Sequence, residues 1–239
     1  MPRESKAKKR ERALITCRRM EEHYGGAESA LDYHDPFTLL IAVMLSAQTT
    51  DAGVNRVTPE LFRKWPDAFA MAQASPQEVG SVIRSIGFWR AKAKHCVEAS
   101  QIIVADYGGE VPHTMKELTS LPGVGRKTAN IVLNKAFHTC EGIAVDTHVF
   151  RIATRLGFTK APTPLAAEQD LLDLIPRELW SPVNEQWIHF GREICTSQRP
   201  KCEECWLADI CPSFERPDRY RKDAKKRKAS DKKAGSPEA

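Results

Sequence analysis

The sequence predicts an almost entirely α-helical fold. Apolar residues recur at helical spacing in segment after segment, strict polar/apolar alternation is rare, and no convincing run of β-branched residues marks a strand. A chain of 239 residues with 41% hydrophobic residues is also large and apolar enough to form a packed core. We therefore expect an all-α protein.

The first well-marked helix begins at Asp35 and Pro36. Asp35 is a favourable N-cap, and proline is tolerated in the first helical turn because its missing N–H would be unpaired there anyway. The apolar residues that follow share one helical face: they are Phe37, Leu40, Ile41, Met44 and Leu45. This segment is predicted to be a core helix.

Further amphipathic helices are predicted near residues 75–86, 91–107, 127–137 and 165–174. Gly108-Gly109 and Pro162-Thr163-Pro164 mark turns between them. Another helix begins at Asp146, and its apolar residues recur at helical spacing until Gly157 ends it. Asp146 could therefore be an ordinary N-cap.

The run from Leu118 to Ala129 predicts two short helices joined by a tight turn, because its Pro-Gly-Val-Gly sequence breaks helical periodicity. Without side chains at Gly123 and Gly125, backbone amides can approach an anion closely, and the following helix N-terminus adds partial positive charge. A DNA phosphate suits such a turn. The alternative is a plain helix-turn-helix connection.

Lys127 lies at the first turn of the helix after this hairpin. The macrodipole disfavours a positive charge there, which favours the neutral, nucleophilic amine. Asp146 could relay a proton or stabilise developing positive charge near such an amine. The alternatives are a solvated lysine and a capping aspartate.

Four of the seven cysteines are clustered at Cys195, Cys202, Cys205 and Cys211. Compact spacing without histidine suits a four-iron four-sulfur cluster, and tetrahedral zinc is the main alternative. The odd total and the scattered remaining cysteines argue against a disulfide framework and indicate a reducing compartment.

The net charge of +5 is unevenly distributed. Residues 1–12 contribute +4 and residues 216–239 contribute +6, so the middle carries −5. Both basic tails are predicted to be disordered, and they either attract nucleic acid or merely improve solubility. No segment has the length and apolarity of a membrane span or signal peptide, so we expect no secretion and no membrane.

Four ordered motifs together resemble the endonuclease III family of the helix-hairpin-helix, Gly-Pro-Asp superfamily: residues 39–51, 121–130 and 145–148 and the four-cysteine spacing. The resemblance implies a helical barrel domain at 29–140 that carries the hairpin. It also implies a 4Fe-4S domain formed by 13–28 and 141–215. Double-stranded DNA would lie in the groove between the two domains.

The resemblance further implies a DNA glycosylase and AP lyase of base-excision repair, with Lys127 as Schiff-base nucleophile and Asp146 as acid/base partner. Gln48 would fill the gap left by the extruded nucleotide. Phe88 would be the apolar wedge, although close relatives usually have leucine there. Gln48 could instead be a polar residue on a helix face, and Phe88 a core aromatic. The remaining implied DNA-contacting residues are Leu121, Gly123, Val124, Gly125, Arg126 and His148. The implied cluster ligands are Cys195, Cys202, Cys205 and Cys211.

Oxidised or saturated pyrimidines and abasic sites are the expected substrates, and we expect a monomer. An adenine-specific mismatch glycosylase is disfavoured by Lys127 and the short C-terminus. Non-catalytic DNA binding is disfavoured by the presence of both Lys127 and Asp146, and a cluster-based redox sensor stays open. The expected location is the nucleoid in a bacterium or the nucleus in a eukaryote.

Overall fold

The computed structural model describes residues 4–27 and 29–214. Within these ranges all regular elements are helical and no β-strand is present, which confirms the predicted all-α fold class. None of the described helices combines the length and apolarity needed to cross a membrane. The chain divides into two compact units, residues 28–144 and residues 1–27 together with 145–239.

The unit of residues 28–144 contains a series of helices around one apolar core. In the described part of the chain these helices are α2 Pro36–Ser46, α3 Asp51–Asn55, α4 Thr58–Lys64, α5 Ala68–Ala72, α6 Pro76–Val82, α7 Trp89–Tyr107, α8 Met115–Ser120 and α9 Arg126–Phe137. The long helix α7 packs against α5, α6 and α2, while α2 also packs against α9. Helix α7 is therefore the element around which this unit is organised.

Local sequence signals set several of these helix starts. The Asp35 carboxylate accepts a hydrogen bond of 2.7 Å from the Thr38 amide, and Ser75 forms a capping box with Glu78 at the start of α6. Both caps satisfy amides that have no partner inside the helix. The predicted N-cap role of Asp35 is thus confirmed.

Helix α2 differs from the single apolar face that its sequence pattern predicted. Every residue from Phe37 to Leu45 is buried, including Thr38, so the helix is enclosed on all sides. The reason is its position between α3, α7 and α9. A helix that is apolar all round is typical of a core element rather than a surface element.

The unit of residues 1–27 and 145–239 has a smaller set of helices. Its described elements are α1 Lys6–Tyr24, α10 Thr147–Arg155, α11 Pro164–Leu174 and α12 Val183–Glu193, with short 3-10 turns at Arg177–Leu179, Cys202–Glu204 and Ala208–Ile210. Helix α12 packs against α1 and α10, and α11 packs against the same two helices. The two ends of the chain therefore meet in this unit. Its borders lie at residues 27 and 144, where the sequence predicted 28 and 140.

Helix α1 corrects the prediction that residues 1–12 form a disordered tail. It starts at Lys6, with Ser5 as N-cap, and Arg12 donates hydrogen bonds of 2.9 Å and 3.1 Å to the carbonyls of Leu156 and Ile210. These partners are far away in sequence, so charge content alone did not reveal them. Residues 1–3 and the basic segment 216–239 lie outside the described residues.

Candidate functional site

The hairpin lies between helices α8 and α9 and uses its two glycines differently. Gly123 has φ 78°, the left-handed conformation that favours glycine, whereas Gly125 is the N-cap of α9 with φ −92°. Both glycines are exposed, and neither amide donates a hydrogen bond within the part of the chain that the structure describes. Two amides at a helix N-terminus are therefore available to an anion.

Leu121 and Val124, which were predicted among the DNA-contacting residues, have buried side chains that belong to the core. The Val124 amide also donates a hydrogen bond of 3.1 Å to the Leu121 carbonyl, which closes the turn. Their side chains therefore hold the hairpin on the core, and their predicted role in DNA contact stays a prediction that would fall to their backbone atoms. The exposed surface of the turn is formed by Gly123 and Gly125.

Alanine substitutions should separate the two glycine roles. At Gly123 a Cβ would lie 2.9 Å from the His95 Cβ, and positive φ adds strain, so we expect Gly123→Ala to cost about 1–3 kcal/mol of unfolding free energy. At Gly125 a Cβ would meet nothing within 4 Å. We expect Gly125→Ala to keep stability but weaken binding to an abasic-site duplex about tenfold, because the methyl group holds the phosphate away. Denaturant unfolding measures the stability of each variant, and DNA titration measures its affinity for the duplex. Equal stability of the two variants would contradict this assignment.

Lys127 is the second residue of helix α9, and its side chain is exposed. Arg126 precedes it as the first helical residue, and the first turn of α9 contains no acidic residue. A cationic side chain at a helix N-terminus gains nothing from the macrodipole. An exposed amine with this electrostatic background can act as a nucleophile.

Asp146 is the N-cap of helix α10, as the sequence predicted. Its Oδ1 accepts a hydrogen bond of 2.8 Å from the Val149 amide. Burial lowers the pKa of His148 and outweighs the opposing effect of the Asp146 carboxylate. The His148 Nδ1 lies 3.1 Å from an Arg151 guanidinium nitrogen, which in turn donates a hydrogen bond of 3.0 Å to the Gly191 carbonyl. A neutral imidazole next to Asp146 is thus held by its own helix and by α12.

The four clustered cysteines line one cavity of about 40 Å³. All four are half-buried, and none of them forms a disulfide. Burial raises the pKa of the Cys205 thiol to about 11, so a thiolate there needs a positive partner. Arg155 supplies positive charge at one side, with a guanidinium nitrogen 3.2 Å from the Cys195 Sγ.

The donor set and its spacing suit an iron-sulfur cluster. Four thiolates around a cavity are the ligand set that a four-iron cluster uses.

Two arginines of α10 hold the cysteine segment in place, and sequence analysis did not single them out. Arg155 is buried and donates to the carbonyls of Cys195, Thr196 and Ser197, with the shortest bond at 2.7 Å. Arg151 donates to the Cys195 carbonyl at 3.1 Å. The available signal was the position of Arg155 among the apolar residues of α10, because a charge on a buried face needs partners.

Gln48 and Phe88 share an unusual backbone conformation. Their φ values are 53° and 56°, and among the described non-glycine residues only His138 is also positive. Gln48 follows the end of α2, and Phe88 immediately precedes α7 with 67% of its surface exposed. Phe88 is therefore not a core aromatic, and Gln48 is not on a helix face. The two loops adjoin, since a Cβ on Gly87 would lie 3.9 Å from the Gln48 carbonyl oxygen.

Two family models match the chain. The model for HhH-GPD superfamily base excision DNA repair proteins matches residues 41–177, which include the hairpin, Lys127 and Asp146. The model for the iron-sulfur binding domain of endonuclease III matches residues 195–211, from the first to the last clustered cysteine. Together they cover the hairpin, residues 145–148 and the four-cysteine spacing in full, and residues 41–51 of the first motif.

Similar proteins extend across most of the chain. Endonuclease III of Synechocystis sp. is 48% identical over 207 residues, which cover 87% of this chain and 94% of that protein. A structure of a trapped endonuclease III-DNA covalent intermediate matches with a TM-score of 0.82 at 40% identity, covering 86% of this chain and 97% of that one. A non-covalent endonuclease III-DNA complex matches with a TM-score of 0.83, also at 40% identity, covering 88% and 98%.

Proposed function

The chain belongs to the endonuclease III family of the HhH-GPD superfamily, and from this membership we propose that it excises damaged pyrimidines through a Schiff base at Lys127. It is a base-excision DNA glycosylase with AP lyase activity, its partner is DNA, and it carries a 4Fe-4S cluster. The observation that carries the proposal is an exposed amine at the first turn of α9, directly after a glycine hairpin with two available amides.

In the proposed reaction the Lys127 Nζ attacks the sugar C1′. A carbon-nitrogen bond forms as the glycosidic bond breaks, and the base leaves with the electron pair and takes up a proton. Loss of a proton from the nitrogen and opening of the sugar ring give the imine. Removal of a C2′ proton then expels the 3′ phosphate, which cuts the strand by β-elimination.

We assign proton transfer in these steps to Asp146. As an N-cap it uses Oδ1 for the Val149 amide, and this bond fixes the orientation of the carboxylate. A general acid or base must be held within hydrogen-bond reach of the proton that it moves.

The DNA contacts follow from the geometry of the first unit. The exposed Gly123 and Gly125 amides are proposed to bind a backbone phosphate, with Arg126 and the N-terminus of α9 adding positive charge. Gln48 and Phe88 are proposed to enter the duplex at the extruded nucleotide, one filling the gap and one wedging a base step. Their exposure and adjoining loops support this pairing.

The proposed cluster ligands are Cys195, Cys202, Cys205 and Cys211, because these four thiols surround one cavity. When bound, the cluster supplies four thiolate-iron bonds that join the end of α12 to the two 3-10 turns near the C-terminus. Arg155 lines the same cavity and holds the Cys195 segment through its carbonyl and Sγ. We also propose a monomer that acts at the bacterial nucleoid, in keeping with its bacterial relative.

Three other functions have less support. An adenine-specific mismatch glycosylase would need no lysine at position 127, and a non-catalytic DNA-binding protein would need neither Lys127 nor Asp146. A redox sensor built on the cluster would show DNA binding that changes with cluster oxidation. None of the three is favoured by an observation at the hairpin.

Borohydride trapping tests the proposed function. We expect the wild-type protein to form a covalent adduct on duplex DNA that contains an oxidised pyrimidine, and none on an adenine-mismatch duplex of the same sequence. A Schiff base is reduced to a stable amine by borohydride, so the adduct reports the imine directly. An adduct on the mismatch duplex alone, or none on either duplex with DNA binding intact, would refute the proposal.

A further inference from the structure

Lys92 is a buried lysine of helix α7 with only 7% of its surface exposed. Its Nζ donates hydrogen bonds of 2.8 Å to the Leu45 carbonyl and 2.8 Å to the Thr49 Oγ1. A buried ammonium is costly unless it is well paired, and burial lowers the pKa of Lys92. A buried amine with two directed hydrogen bonds calls for a structural or functional reason.

The two acceptors of Lys92 flank Gln48. The Leu45 carbonyl is one of the last carbonyls of α2, and such carbonyls have no hydrogen-bond partner within the helix. Thr49 directly follows Gln48 in the sequence. A cationic side chain at a helix C-terminus also interacts favourably with the macrodipole. Lys92 thus caps α2 from another helix and holds both sides of the segment in which Gln48 adopts φ 53°.

Through its backbone, Lys92 also lies one helical turn after the second loop. The Lys92 amide donates a hydrogen bond of 3.1 Å to the Phe88 carbonyl in the first turn of α7. Trp89 anchors this turn by packing on α6, since a Cβ on Gly80 would lie 2.8 Å from its ring. One residue therefore contacts both segments whose exposed side chains are proposed to enter the duplex.

We propose that Lys92 is a positioning residue that holds the Gln48 segment in its left-handed conformation, ready to fill the gap left by an extruded nucleotide. The inference rests on the proposed function, because it gives Gln48 its task. A non-glycine residue with positive φ persists only where its surroundings impose that conformation. With the loop already ordered, DNA binding does not have to order it.

A double-mutant cycle tests this coupling. We expect Lys92→Met to lower the single-turnover excision rate on an oxidised-pyrimidine duplex about tenfold, and Gln48→Ala to lower it by a similar factor. If Lys92 acts through Gln48, the double variant should be no slower than Gln48→Ala alone. Lys94→Met is the matched control, because Lys94 lies two residues along the same helix, is exposed and pairs with Glu98 at 3.7 Å.

Thr49→Val provides a second variant that leaves the buried Lys92 in place and removes one of its two acceptors, together with the long bond of 3.5 Å that the Thr49 Oγ1 donates to the Ala47 carbonyl. Thr49→Val should also lower the excision rate. The double variant of Thr49→Val and Gln48→Ala should be no slower than Gln48→Ala alone. Three outcomes would each overturn the inference. The first is a double variant whose rate loss is the product of the two single losses, in either cycle. The others are a rate for Lys92→Met equal to that of Lys94→Met and an unaltered rate for Gln48→Ala. Borohydride trapping of the wild type is measured alongside, so failure of the proposed chemistry is recognised separately.

Discussion

Substitution of Lys127 by methionine should abolish the borohydride-trapped adduct and lower the excision rate by about 10³-fold or more. The exposed amine at the start of α9 is the proposed nucleophile, and methionine keeps the length and helix propensity of the side chain while removing the attacking nitrogen. A single general acid or base contributes about 10²–10⁴-fold, and loss of the covalent route should cost at least as much.

Gel analysis after borohydride treatment gives the adduct, and single-turnover kinetics give the rate. Lys116→Met is the control, because Lys116 is an exposed lysine on α8, the other helix of the hairpin. The control should retain the adduct, and both variants should bind an abasic-site duplex about as well as the wild type. An adduct that persists in Lys127→Met would transfer the nucleophile role to another amine.

Substitution of Cys205 by alanine should remove iron and lower the midpoint of thermal unfolding by about 10 °C. Loss of a metal centre is among the few single changes that cost about 3–5 kcal/mol, and each kcal/mol shifts the midpoint by about 2–4 °C in a chain of this size. The four thiols line one cavity, so a cluster held there would join the end of α12 to the two 3-10 turns near the C-terminus.

Iron per chain and differential scanning calorimetry are the two measurements. Cys140→Ala is the control, since Cys140 is a half-buried thiol outside the cluster segment. It should retain iron and the wild-type midpoint. If the wild-type protein contained zinc in place of iron, and Cys205→Ala lost that zinc, the result would instead support zinc as the bound metal. Full iron content in Cys205→Ala would remove Cys205 from the ligand set.

Local signals were sufficient for much of the fold. The Asp35-Pro36 start of α2, the Ser75 capping box and the Asp146 N-cap each depend on hydrogen bonds between residues three positions apart. Such contacts form within one helical turn, so they can be recognised from sequence without knowledge of distant partners. The Gly108-Gly109 turn, with φ 62° and 92°, belongs to the same class.

Predictions that depended on distant contacts were less successful. The N-terminal segment from Lys6 was expected to be disordered because of its charge, yet Arg12 reaches carbonyls 144 and 198 residues away. Sequence analysis likewise did not predict that the core encloses the Leu121 and Val124 side chains. In both cases the decisive partners are absent from the local sequence.

The sequence by itself determined the helical class and the family, and it singled out the proposed amine, carboxylate and thiols, because periodicity, capping and motif spacing are local properties. Only the tertiary structure decided which charged side chains face inward. Lys92 and Arg155 look like ordinary helical cations, but their partners lie 43–47 and 40–42 residues away along the chain. Burial makes such contacts strong, since a charged donor removed from water must be paired by specific acceptors.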